Sequence, residues 1–185
     1  MGFSVIGTGS ALPKKRVTNT ELTSFLDTSD EWIKTRTGIC ERRIITGETM
    51  TELAVSAAKK ALENASSAAS EIDLLICPTL RGDYVSPSLS YIVAGQLGLR
   101  DDCVVFDVNM GCCGFVYALN IADSYFKAGS VRKALIVASD ALSRLADWED
   151  RSTSVLFGDT AAAAVLEVNG RETFFDVNLK PNVEF

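Results

Sequence analysis

Short, nearly continuous apolar runs alternate along this chain with longer stretches in which apolar residues recur every three or four positions. Residues 72–77, 103–108 and 134–138 are such runs, each with strand length and the composition of a strand covered on both faces. Residues 3–6 read as another strand, ended by a Gly7-Thr8-Gly9 turn, and 161–168 as a fifth. Residues 174–179 are a candidate sixth. Between them lie helix signals. Thr49-Met50-Thr51-Glu52 has capping-box spacing, and Leu53, Ala54, Ala57, Ala58, Ala61 and Leu62 follow along one helical face. Ser86-Pro87 resembles an N-cap followed by proline at the first helical position, with Gly98 as terminator. A third helix is expected over 112–127, closed by Gly129, while 65–70 is a short polar connection. There is no internal repeat or proline-rich linker. The alternation predicts a layered α/β domain around a largely parallel or mixed sheet.

Composition narrows the function. The 185 residues are 47% apolar and 23% charged, as expected of a folded globular chain rather than a disordered one. With 18 basic against 24 acidic residues the net charge is −6, and no long basic run offers a nucleic-acid duplex a footprint. The chain contains no histidine, so its own residues supply neither histidine acid–base catalysis nor histidine metal ligation. Its five cysteines, at 40, 77, 103, 112 and 113, include no CxxC pair, which argues against a zinc framework. Three sit in apolar or strand-like surroundings and read as reduced core thiols. Met1-Gly2-Phe3-Ser4-Val5-Ile6 lacks the character of a signal peptide, and Ile6 stands where a myristoylation signal needs Ser or Thr. No apolar run reaches the roughly 18 residues of a membrane span. The expectation is a cytoplasmic protein with neither a nucleic-acid nor a membrane partner.

The most informative segment is Phe106-Asp107-Val108-Asn109-Met110-Gly111-Cys112-Cys113-Gly114-Phe115. A buried strand enters it, small residues turn it, and an amphipathic helix leaves it. A thiol at such a corner lies near unpaired helix amides, which favour thiolate, the nucleophilic form. Gly111 and Gly114 permit close approach of backbone or substrate, and the amide of Cys112 is placed to donate to an oxyanion. The same residues also suit a plainer role, with cysteine as a small apolar filler at a tight corner.

Motifs in order along most of the chain carry a more specific resemblance. They are Gly7-Thr8-Gly9, Leu12-Pro13, the run Asp27-Thr28-Ser29-Asp30-Glu31-Trp32-Ile33-Lys34-Thr35-Arg36-Thr37-Gly38-Ile39, Glu41-Arg42-Arg43, the cysteine corner, Asp150-Arg151 and Leu156-Phe157-Gly158-Asp159. From Gly7 to about Leu166 the chain resembles the N-terminal half of a β-ketoacyl-acyl-carrier-protein synthase III, a thiolase-like condensing enzyme. The resemblance implies a five-stranded mixed sheet between helices, one of two related halves of a thiolase-like subunit. It makes Cys112 the acyl-accepting nucleophile. Cys113 then stands where the family has Ser or Ala, either a redox-sensitive second thiol or a packed spectator. Met110 replaces a typically smaller residue. Thr28, Trp32 and Arg36 match positions that contact the nucleotide end of coenzyme A, and their four-residue spacing puts them on one face of a helix. Arg151 matches a second residue on that path. Without the resemblance, Trp32 reads as a packing anchor and Arg36 as a solvated side chain. Leu142 and Phe157 correspond to acyl-pocket positions. Ser86 stands where some relatives carry a large apolar residue that reaches the partner subunit's pocket. Asp159-Thr160-Ala161 departs from the more familiar Asp-Gly-Ala.

The implied reaction loads an acyl group from acyl-CoA onto cysteine. Malonyl-acyl carrier protein then loses carbon dioxide and attacks the acyl-enzyme, without metal or cofactor other than the thioester substrate. The family's His and Asn come from the second half of the subunit. Asn109, Asn120 and Asn169 do not lie in the matching motif. The expectation is therefore an N-terminal half-domain, homodimeric, that carries the nucleophile and lacks the C-terminal catalytic half. Two other readings stay open: a related acyltransferase or polyketide-type condensing enzyme, and a noncatalytic thiolase-like scaffold.

Overall fold

The apolar runs pair into one twisted layer, with helices on both of its faces. The computed structural model describes residues 2–170. Its strands are β1 (Phe3–Ala11), β2 (Lys15–Thr18), β3 (Glu41–Ile44), β4 (Leu74–Pro78), β5 (Val104–Val108), β6 (Lys133–Ala141) and β7 (Asp159–Val168). Its helices are α1 (Asn19–Leu22), α2 (Asp30–Thr37), α3 (Met50–Asn64), α4 (Leu89–Leu97), α5 (Gly114–Lys127) and α6 (Arg151–Ser154). The main sheet runs β1-β7-β6-β4-β5. β4 is parallel to both β5 and β6, whereas β6–β7 and β7–β1 are antiparallel. This is the expected five-stranded mixed sheet. The candidate sixth strand, 174–179, lies outside the described residues. β2 and β3 form a separate antiparallel ribbon, whose charged sequences carry no apolar run to mark them as strands.

Alternation along the strands separates two cores. On β4, Leu75 and Cys77 join the α3 and α4 side, while Leu74 and Ile76 join α5. β6 repeats the division, with Leu135 and Val137 on the first side and Ala134 and Ile136 on the second. The predicted apolar face of α3 is buried throughout. Its capping box also forms: Thr49 Oγ1 accepts from the Glu52 amide at 3.0 Å and the Glu52 carboxylate accepts from the Thr49 amide at 2.8 Å. A cap of this kind contributes about 1 kcal/mol.

Three expectations are corrected. The Gly7-Thr8-Gly9 turn does not form, because β1 continues to Ala11 with only an irregularity between Val5 and Gly7. The glycines answer to a different demand, the close approach of α3. A Cβ on Gly7 would stand 2.4 Å from the Ala61 carbonyl oxygen, and one on Gly9 only 2.2 Å from that of Ala57. Ser86-Pro87 does not start α4. Ser88 is the N-cap, and the Asp107 carboxylate on β5 accepts from the amides of Leu89 at 2.9 Å and Ser90 at 2.8 Å. A tertiary acceptor, rather than a local hydroxyl, sets that boundary. Gly98 does terminate the helix, in the left-handed region at φ 68°. Finally, residues 111–113 form a 3₁₀ turn, so that α5 starts at Gly114 instead of Cys112. No helix among the described residues is long and apolar enough to cross a membrane.

Because backbone atoms of α3 occupy the space beside Gly9, Gly9→Ala is expected to destabilise the fold by about 2–3 kcal/mol. Urea unfolding reads this directly, and an unchanged midpoint would contradict the proposed helix–strand contact.

Candidate functional site

Three parallel strands, β5, β4 and β6, end on the same side of the sheet, where ligands of open α/β sheets collect. β5 runs out at Val108, and Asn109 and Met110 lead into the 3₁₀ turn. Gly111 turns the chain at φ 53°, a left-handed conformation that disfavours a side chain. Gly114 then lets α5 start against the end of β4, since a Cβ there would lie 2.8 Å from Pro78 Cβ. No side chain caps the start of α5. Cys112 and Cys113 are both exposed. The contrast with the core thiols is chemical as well as spatial. Cys77 is buried and its thiol is pushed well up by desolvation and then by the nearby Asp107 carboxylate. Cys103 is pushed up to about 11, chiefly by burial. Both are therefore held in the unreactive thiol form at neutral pH. Three core thiols were expected and two are found, Cys77 and Cys103; Cys40, like Cys112 and Cys113, is exposed.

A second cluster forms around α2. Ser29 caps this helix by accepting from the Trp32 amide at 3.0 Å, and Gly38 ends it at φ 74°. Ile33 turns inward to join Leu22, Leu26 and Val155. Trp32 is left half-buried at the rim, with two guanidinium groups packed on its ring. Arg36, one helical turn on, lies 4.4 Å from the indole centroid, and Arg151 of α6 lies 4.7 Å from it. Arg151 also donates to the Asp27 carbonyl at 2.7 Å, which ties α6 to the loop before α2. Thr28 precedes the helix, so it does not share the face of Trp32 and Arg36. It nevertheless sits in the same place, next to Asp27, with its Oγ1 buried and without a hydrogen-bond partner among the described residues. Trp32, Arg36 and Arg151 thus converge. In this structure two guanidinium groups already pack on the indole, so the stacking surface expected from the sequence is partly occupied.

α2 is held by a buried polar network. Arg42 on β3 donates to Asn19 Oδ1 at 2.8 Å and the Val155 carbonyl at 3.0 Å. Asn19 in turn donates to Asp30 Oδ1 at 2.9 Å and the Ile39 carbonyl at 2.7 Å. Desolvation pushes the Arg42 guanidinium below its ordinary pKa. Four hydrogen bonds therefore join both ends of α2 to the ribbon and to the chain just after α6.

Leu142 and Phe157 meet in a third place, a cleft of about 220 Å³ that they share with Leu145, Ala146 and Thr153. Asp150 also lines it and caps α6 through the Ser152 amide at 2.8 Å. The cleft and the arginine–indole stack therefore flank one short helix. β4 alone separates β5 from β6, so the cysteine corner and the segment after β6 leave the same edge of the sheet two strands apart. Ser86 is exposed on the loop between β4 and α4.

Sequence reading missed the carboxylates that shape this edge. Asp159 accepts from the amides of Ser143 at 2.9 Å and Ile45 at 2.7 Å, and from Ser143 Oγ at 2.6 Å. Asp140 accepts from the Leu80 amide at 2.8 Å and Thr79 Oγ1 at 3.2 Å, and burial raises its pKa. Asp83 accepts from the amides of Met50 and Thr51 at 3.2 and 2.8 Å and from Arg144 at 3.0 Å. The available signal was an acidic residue near the end of an apolar run, as at Asp107 and Asp140.

Residues 106–182 match the family model for 3-oxoacyl-[acyl-carrier-protein] synthase III. The β-ketoacyl-[acyl-carrier-protein] synthase III of Aquifex aeolicus is 49% identical over 166 residues, 90% of this chain and 53% of that one. That of Clostridium botulinum strain Okra is 45% identical over 180 residues, 97% of this chain and 55% of that one. The chain spans about half the length of the curated relatives it matches. The crystal structure of the Aquifex aeolicus 3-oxoacyl-[acyl-carrier-protein] synthase III superimposes with a TM-score of 0.89 at 47% identity, covering 92% of this chain and 55% of that one. The priming β-ketosynthase of the R1128 polyketide pathway gives 0.85 at 40% identity, covering 90% and 50%. Sequence and fold together make this chain similar to the β-ketoacyl-[acyl-carrier-protein] synthase III proteins, about half of whose length it spans.

Proposed function

We propose that this chain carries the nucleophile of a condensing enzyme that joins an acyl-CoA to malonyl-acyl carrier protein. The observation that carries this reading is the exposed Cys112 at the uncapped start of α5. Its thiolate adds to the thioester carbonyl of acyl-CoA, coenzyme A thiolate leaves, and an acyl-cysteine remains. The amide of Cys112 and the N-terminal end of the α5 dipole stabilise negative charge on the carbonyl oxygen during that addition. Malonyl-acyl carrier protein then loses carbon dioxide, and its carbanion attacks the acyl-cysteine carbonyl. The carbon–sulfur bond breaks, Cys112 leaves as thiolate, and the product is a β-ketoacyl thioester. These steps use a thiol and two thioesters, with no further cofactor.

Coenzyme A is a nucleotide with several phosphates, and the stack at Trp32 suits that chemistry. A planar base can replace one guanidinium on the indole, while Arg36 and Arg151 supply charge for phosphate. Thr28 lies beside the same rim, with its hydroxyl turned into the protein. Leu142 and Phe157 offer apolar surface for the acyl group. With no histidine among the 185 residues, these residues lack the imidazole that would assist decarboxylation, a kind of help worth roughly 10²–10⁴-fold. The chain by itself is therefore proposed to load Cys112 but not to condense at an ordinary rate. A second copy is a further proposed partner, supported by the outer edge of β5, which pairs with no strand among the described residues. The likeness to a priming β-ketosynthase supports a close variant, in which the same acyl-cysteine primes a polyketide. Mass analysis of the product formed with each carrier protein separates the two.

Incubation with acetyl-CoA should add one acetyl group to the intact mass. Cys112→Ser should abolish the adduct and Cys113→Ser should leave it; the reverse pattern would assign the chemistry to the other sulfur. Trp32→Ala should raise the KM for acetyl-CoA about tenfold, from loss of base stacking. It should not change the KM for S-acetylpantetheine, and an equal rise for both would remove the nucleotide role. Light scattering of the full chain should give twice its mass, and a strict monomer would contradict pairing of copies.

A further inference from the structure

We propose that Leu80 is a specificity-determining wall beside the nucleophile, which limits the length of acyl chain that Cys112 accepts. The proposal rests on the acyl-cysteine reading and concerns a residue just past β4, outside the cysteine corner and the Leu142–Phe157 cleft.

Three parallel strands hold Leu80 from both sides. Its amide donates to Asp140 Oδ1 at the end of β6, 2.8 Å away, and Thr79 Oγ1 donates to the same oxygen at 3.2 Å. Its carbonyl accepts from Asn109 Nδ2, just after β5, at 3.0 Å. With its amide bonded to β6 and its carbonyl to the residue that follows β5, the main chain here has little freedom to swing aside. Its side chain ends against the corner: Leu80 Cδ2 lies 3.7 Å from the position a Cβ on Gly111 would take. Gly111 immediately precedes Cys112. A single exposed leucine is ordinary on a protein surface. This one is 36% exposed on a main chain held at both its amide and its carbonyl, so its isobutyl group is open to whatever occupies the corner. An acyl chain on Cys112 Sγ needs room for its methylenes, and the isobutyl group takes part of that room. One methylene in an apolar site changes discrimination by roughly 10–200-fold. Asp140 and Asn109 are then positioning residues, acting through Leu80.

The test follows adduct formation by intact mass on the full chain in a Cys113→Ser background, with acetyl-, butyryl- and hexanoyl-CoA. In each reaction the Cys112 thiolate replaces coenzyme A thiolate on the carbonyl carbon. Leu80→Ala should raise the hexanoyl-to-acetyl rate ratio about tenfold, and Leu80→Phe should lower it by a similar factor. Asp140→Ala should raise the ratio as Leu80→Ala does. Asp140→Asn, which keeps an acceptor oxygen for the Leu80 amide, should restore the original profile. An unchanged ratio in both Leu80 variants overturns the proposal while leaving acylation of Cys112 intact. If the parent forms no adduct with any thioester, the acyl-cysteine reading itself fails. Alkyl methanethiosulfonates from methyl to hexyl then read the wall independently, since they form a disulfide with Cys112 and release methanesulfinate. The same shifts in the hexyl-to-methyl ratio uphold the wall, and a flat profile overturns it.

Discussion

Strands that end inside a sheet leave loop amides with no ladder to pair with, and a partly buried amide without an acceptor costs about 1–3 kcal/mol. This structure answers that constraint with aspartates. Asp107 takes the first amides of α4, Asp140 takes the amide of Leu80, and Asp159 takes amides from two separate loops. Each acceptor sits on a strand of the main sheet, so each loop inherits the rigidity of the sheet. The cysteine corner, the loop after β4 and the segment after β6 are thereby fixed relative to one another. Burial raises the pKa of Asp140, which shows that this use of a carboxylate carries a desolvation cost.

A second solution holds α2, which has few apolar anchors. Only Ile33 of its eight residues is buried, so hydrophobic burial alone does not fix its orientation. The buried Arg42–Asn19 pair supplies the direction through hydrogen bonds to Asp30 and to main-chain carbonyls at Ile39 and Val155. Removing one member would strand the other's buried polar groups, so the network specifies a single arrangement. Its consequence for chemistry is the placement of Trp32 against Arg151, a residue 119 positions later in the chain. Two positive groups on one indole are held close despite their mutual repulsion, a concentration of charge that favours an anionic visitor.

The legible parts of the fold were those written in local patterns. The β4, β5 and β6 runs, the Thr49–Glu52 box and the Gly98 stop depend on residues within a few positions of one another, and all appear in the structure. Gly7 and Gly9 show where local reading misleads. Glycine marks a turn when its own dihedrals need freedom, but here it marks a contact with a helix more than 45 residues away. The start of α4 was missed for the same reason, since its cap lies on β5. β2 and β3 were invisible because their pairing face is built of charged side chains rather than an apolar stripe.

By itself the sequence determined the α/β class, the two faces of each buried strand, the strand-to-helix corner at Cys112 and, through ordered motifs, the resemblance to the condensing enzymes. These follow from period, length and residue type, which act over short distances. The tertiary structure decided what meets what. It exposed Cys112 while burying Cys77 and Cys103, brought Arg151 onto Trp32, and joined Leu142 to Phe157 across one cleft. It also set Leu80 beside Gly111 through acceptors and donors on two other strands. None of those neighbours is encoded in spacing, because each depends on strand order, and strand order is fixed only when the whole sheet has closed its hydrogen bonds.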